Sequence, residues 1–256
     1  MVILIVMPFS TVLSGFSPYL SQHTFQDFLL ASAVFTIVGV LLGMIVSSNM
    51  LFKKSGFLFF LLGMIVAPPF MIGAPETSPT LLSHVTEEHF RYGCLMIATI
   101  VFAAGFLFIS KKIWSTLFYF NKLIIIPFAI SVVLMLWDNY SSYHFSSELM
   151  TWIATGKKDE DFFPNYNFHN FYRTLGRSLL YIIVPWLSFL LLDKEYIKKW
   201  QAITLSAFCF IGIVFFFLCN FIGLQFYFPF MVPAVALAPA YWLGLALINY
   251  RRHPLK

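Results

Sequence analysis

Between Ser83 and Gly93 the chain reads SHVTEEHFRYG, a dense polar cluster leading into an apolar run. On a helix, His84, Glu87, Glu88 and Arg91 follow i, i+3, i+4, i+7 and share one face, with Cys94 continuing it. A carboxylate pair, an arginine that orients it and an imidazole that passes protons are the parts of general acid–base chemistry. A second set is dispersed: Asp138, His144, Glu148, His169, Arg173 and Arg177. His169, Arg173 and Arg177 recur every four residues and stack on one helix face, and two arginines on a face suit a phosphate or carboxylate. The candidate catalytic residues are therefore Glu87 and Glu88 as base and His144 and His169 as proton shuttle. Arg91, Arg173 and Arg177 are the candidate substrate- or anion-binding residues. The plainer reading of the same residues is a solvated helix face with ordinary surface ion pairs and arginines anchored among lipid headgroups.

Other chemistries find less support. His84, His89, His144 and His169 with nearby carboxylates offer nitrogen and oxygen donors, but no ligand spacing such as HExxH, so no metal and no cofactor is expected. Cys94, Cys209 and Cys219 all fall in apolar runs, without a CxxC or a disulfide framework. Asn139-Tyr140-Ser141 matches an N-glycosylation sequon. Glu87-Glu88-His89-Phe90-Arg91 resembles the first motif of the CAAX-protease and bacteriocin-processing family of polytopic membrane glutamate proteases. The chain has two residues between Glu88 and Arg91 where that family has three. Tyr140 and His144 keep the spacing of the family's Phe-x-x-x-His motif with a tyrosine, and Arg173 stands where His169 would need an asparagine four residues on. The chain is not assigned to the family on these residues.

The elements that position these side chains follow from composition. Sixty per cent of the residues are hydrophobic and 11% charged, against roughly a quarter charged in soluble domains. The apolar surplus needs lipid, and about 20 apolar helical residues span a bilayer core. The pattern predicts an all-α, polytopic membrane protein: one domain over 1–256, a bundle of about eight transmembrane helices with an extracytoplasmic loop cap. The spans fall near 2–20, 28–46, 56–72, 92–109, 117–137, 175–192, 202–222 and 228–249, and the long outer loops at 73–91 and 138–174. Within the second loop a short surface helix is expected over Ser147–Thr155, with Ser146 as its cap and Gly156 at its end. Pro68-Pro69, Pro127, Pro185, Pro233 and Pro239 are expected to kink or break their helices.

Charge fixes the orientation. Eight spans gather eleven Lys and Arg residues, among them Lys53, Lys54, Lys111, Lys112, Lys194, Lys198, Lys199, Arg251, Arg252 and Lys256, on one side. Nine of the eleven acidic residues fall on the other. The positive-inside rule then places both termini in the cytoplasm and the chemistry on the outer face of the plasma (inner) membrane. The formal charge of +5 belongs to loops beside spans, so nucleic acid is not an expected partner. The lipid bilayer is. No complete catalytic signature is present, so the expected function is a subunit or assembly partner of a membrane complex, bound through its outer loops to a protein partner. The alternatives are an outer-face hydrolase or transferase on a lipid-linked or peptide substrate using the Glu/His/Arg cluster, and a transporter of a neutral or lipophilic solute using the proline-broken helices.

Overall fold

A computed structural model describes residues 2–10, 24–47, 53–72, 85–113, 122–158, 161–162 and 166–249. His84, Asp159, Glu160, Arg251, Arg252, Lys256, the second half of the first expected span and most of the first expected loop lie outside the described residues. The described chain is all helix, with no strand. In order come α1 (Val2–Ser10), α2 (Phe25–Val46), α3 (Lys53–Ile72), α4 (Val85–Ile113), α5 (Ile125–Ala154), α6 (Tyr166–Asp193) and α7 (Lys199–Phe221). A 3₁₀ turn (Leu224–Phe226) and three short helices follow: α8 (Tyr227–Met231), α9 (Pro233–Ala236) and α10 (Ala238–Ile248).

Six of these, α2 to α7, are long and apolar enough to cross a membrane, which is the character of a multi-pass membrane protein. Local chemistry sets some of their ends. Thr24 and Asp27 close a capping box on α2: Asp27 N–H donates to Thr24 Oγ1 (3.2 Å) and Thr24 N–H to Asp27 Oδ2 (2.9 Å). Gly156 takes φ +77° just beyond α5, a left-handed turn that a Cβ would strain.

Neighbouring helices run antiparallel. Ser32 of α2 reaches Met71 of α3, and Phe59 of α3 stacks on Phe102 of α4. Phe106 of α4 stacks on Phe128 of α5 at 4.0 Å, Ser131 of α5 donates to the Gly176 carbonyl of α6 (2.7 Å), and Phe171 of α6 meets Phe216 of α7. α10 returns to close the bundle against α3. A Cβ on Gly244 would sit 2.4 Å from the Phe60 backbone nitrogen, so only glycine lets these two helices approach as they do. The alternation leaves Lys111, Lys122, Lys194, Lys198 and Lys199 at one end, here the basic end, and the start of α4, the second half of α5 and the start of α6 at the other.

Several expectations change. Residues 85–91 open α4 and 166–174 open α6 instead of forming loop, and α3 and α6 are not broken at Pro68-Pro69 or Pro185. Asp138–Ala154 is not loop: α5 runs unbroken through it to Gly156, and the expected surface helix is the last part of α5. Nothing in SSYHFSSELMTWIA breaks a helix, and Ser146 donates back to the Tyr143 carbonyl (2.9 Å) instead of capping a new one. The last expected span is three short helices rather than one, because Pro233 and Pro239 each begin a new segment.

Candidate functional site

Polar side chains from five helices lie toward the end of the bundle opposite the basic end. α5 supplies Asp138, which begins as the edge of a span in the sequence and becomes interior once α5 continues. It lies thirteen residues into the helix, about 20 Å from its basic end at ~1.5 Å per residue. Asp138 is 1% exposed and pairs with Arg177 of α6, itself 2% exposed. Arg177 also donates to the Tyr227 hydroxyl at the start of α8. A charge at this depth is tolerated only when matched, and here each ion removes the other's cost.

One turn back along α6, the Arg173 guanidinium lies over the Tyr227 ring (4.5 Å to the centroid) and donates to Asn170 Oδ1 (3.0 Å). Asn220 of α7 donates to Thr174 Oγ1 (2.9 Å), and Thr174 returns its proton to the Asn170 carbonyl (2.9 Å). Cys219 sits against Asn170 as well. This face of α6 is therefore polar from Asn170 to Arg177, with every second or third residue engaged by another helix. His169 is half-buried beside Trp137 (4.8 Å between rings), within electrostatic reach of Arg173, Asp138 and Arg177.

α4 completes the cluster. Glu87 and Glu88 are buried, at 6% and 2% exposure, and Arg91 pairs with Glu88 at 3.3 Å. Tyr92 ties this helix to the rest, since Glu88, Arg91, Asp138 and Tyr227 all act on it electrostatically. Deeper in, Asn139 donates to Thr99 Oγ1 across α4 and α5 (3.5 Å). Asn139 is 1% exposed, so the Asn139-Tyr140-Ser141 sequon is not open to glycosylation in this fold.

Of the residues singled out in the sequence, Asp138, His169, Arg173 and Arg177 gather here, while Glu88 and Arg91 pair with each other on α4 and Glu87 is buried beside them. His144 and Glu148 join neither set: both are exposed on α5, His144 between the rings of Tyr140 and Phe145. His89 turns from its glutamate neighbours to stack on Tyr143 at 4.5 Å. Arg177 is also placed differently from the expectation of an anion holder. Asp138 already neutralises it, which leaves Arg173, half-buried at the rim, as the cation of α6 nearer solvent.

Sequence reasoning missed Tyr92, Asn170, Thr174, Asn220 and Tyr227. A signal existed for Asn220, a lone amide in an otherwise apolar run, since polar groups in such helices pair with one another across interfaces. Tyr227 had none, for it joins the site only because the last span breaks just after it. Among the described residues no group of three or more His, Cys, Asp or Glu side chains is placed to hold a metal ion, and the three cysteines are unbridged. No protein-family model matches the chain, and neither a curated protein nor a solved structure shows significant similarity to it.

Proposed function

We propose that the chain is a membrane enzyme of the outer face, a hydrolase or transferase acting on a lipid-linked or peptide substrate, with the polar end turned outward and both termini in the cytoplasm of a cell with a plasma (inner) membrane. The observation that carries this reading is the set of buried, paired polar side chains toward one end of the bundle: Glu88 with Arg91 on α4, Asp138 of α5 with Arg177 of α6, and Arg173 against Tyr227, with His169 beside Trp137. The excess of lysines at the opposite end supports the orientation.

The roles follow from pairing and from position at the polar end of the bundle. Glu88, oriented by Arg91, serves as the general base, with Glu87 beside it. His169, half-buried between Trp137 and the arginines, passes the proton. Arg173 holds the anionic part of the substrate, and the buried Asp138–Arg177 pair positions Arg173 and Tyr227 instead of touching substrate. The test is complementation of cells lacking the chain, followed by lipid and secreted-peptide profiling. Glu88→Gln and His169→Asn are expected to reach wild-type protein levels yet leave the same species accumulating as the deletion does, a loss of about 10²–10⁴ in turnover. Full complementation by both variants would overturn the enzyme reading.

A second reading, a subunit held by a protein partner, is favoured by one observation: α5 is 30 residues long, about 45 Å against a bilayer core of ~30 Å. Its second half carries exposed Tyr140 and Tyr143, which a partner would cover. A stoichiometric second polypeptide retained on gentle extraction is what this reading requires.

A further inference from the structure

The last apolar segment is held in two different ways along its length. Its inner part, α10, meets α3 backbone to backbone at Gly244 and is also tied to α1 by two side-chain hydrogen bonds. Gly244 lies against Phe59 and Phe60, the Tyr241 hydroxyl donates to the Leu4 carbonyl, and Trp242 Nε1 donates to the Ile5 carbonyl (3.1 Å). Its outer part, α8, is five residues long and separated from the rest by Val232, whose φ −58° and ψ +133° are extended rather than helical. Pro233 follows with no N–H to give back across the break. α8 is fastened to the bundle through side chains. The Tyr181 hydroxyl takes the Phe230 carbonyl, Phe230 packs between Phe208 (5.0 Å) and Phe215 (4.9 Å), and Tyr227 rests on Arg173 and Arg177.

We propose that α8 is a hinged arm, and that a phosphate-bearing group entering at Arg173 displaces the Tyr227 ring and releases the arm about Val232. Two ligands then compete for one guanidinium face. An aromatic ring offers its quadrupole, whereas a phosphate offers charge-assisted, bidentate hydrogen bonds that match the fork of arginine, and these are the stronger. Arg177 gives up its bond to the Tyr227 hydroxyl as the ring leaves but keeps Asp138, which neutralises it in the interior, so the anion is taken by Arg173 at the rim. The arm thereby reports whether the anion position is filled. The idea shares Arg173 with the catalytic reading but does not depend on bond-making at Glu88, and it stands or falls separately.

Amide hydrogen exchange on the full chain in dodecyl maltoside micelles tests it, with residues 224–232 compared to 238–248. Added dioleoylphosphatidylglycerol is expected to speed exchange in 224–232 by about tenfold, while 238–248 stays protected. Arg173→Met should lose that response. Tyr227→Phe, which lacks the hydroxyl held by Arg177, should show the faster exchange with no lipid added. Glu88→Gln should respond as the wild type does, separating this result from any loss of catalysis. Inorganic phosphate in place of the lipid identifies the source of the anion: release by lipid alone assigns a headgroup, and release by both assigns phosphate of either origin. Unchanged exchange in 224–232 with both anions, or a full response from Arg173→Met, would overturn the proposal.

Discussion

Asp138 and Arg177 show how strongly burial ranks interactions. Exposed ion pairs contribute little, but this one is closed off on both sides, with side-chain exposures of 2% and 3%. Removing one partner leaves the other charged and dry. Asp138→Asn or Arg177→Met alone is therefore expected to cost about 3–5 kcal/mol, measured as loss of folded protein on heating in detergent. The double variant Asp138→Leu with Arg177→Met should regain most of that, because two apolar side chains leave no charge to solvate. If the double variant is as unstable as the worse single one, the pair is held for more than mutual neutralisation. The pairing itself was not legible in the sequence. The two residues stand 39 positions apart on different helices, and Asp138 reads as the edge of a span until α5 is seen to pass through it.

Helices α3 and α10 meet backbone to backbone, and the cause is the absence of a side chain at Gly244. Gly244→Leu would drive a Cβ into the Phe59–Phe60 backbone, where no rotamer change makes room. The expected loss is about 3 kcal/mol or more, seen as a fall in the temperature at which the detergent-solubilised chain aggregates. At this scale the sequence was informative where apolar length decides. Windows near 28–46, 56–72, 92–109, 117–137, 175–192 and 202–222 each lie within or overlap a helix long enough to span. It was less informative where polar residues continue a helix. SSYHFSSELM carries no breaker, so hydropathy stops at Trp137 while hydrogen bonding continues to Ala154. The prolines of the last segment did announce a break, but not that the break would deliver Tyr227 to two arginines.

For the whole molecule, the dominant asymmetry is electrical. Lys111, Lys122, Lys194, Lys198 and Lys199 sit at the end opposite Glu87, Glu88, Asp138 and the arginines of α4 and α6, and of the described lysines only Lys157 and Lys158 join the acidic side. The positive-inside rule then predicts that a Lys198→Cys variant is labelled by a membrane-impermeant maleimide only in inverted vesicles, and a Thr155→Cys variant only in intact cells. The reverse pattern would place the candidate site in the cytoplasm and remove the outer-face function with it. The same buried pair has a consequence for how the chain is built. α5 is the least apolar of the six long helices, and it carries Asp138 toward the membrane interior before its counter-ion has been synthesised. An aspartate at the centre of a lone helix opposes insertion by about 2.5–3.5 kcal/mol on biological scales. α5 alone is thus a poor candidate to leave the insertion machinery, whereas α5 together with α6 carries no net charge at that depth. The assembly step is then the arrival of Arg177, and the two helices enter the bilayer as a hairpin, with the ion pair made before lipid closes around it.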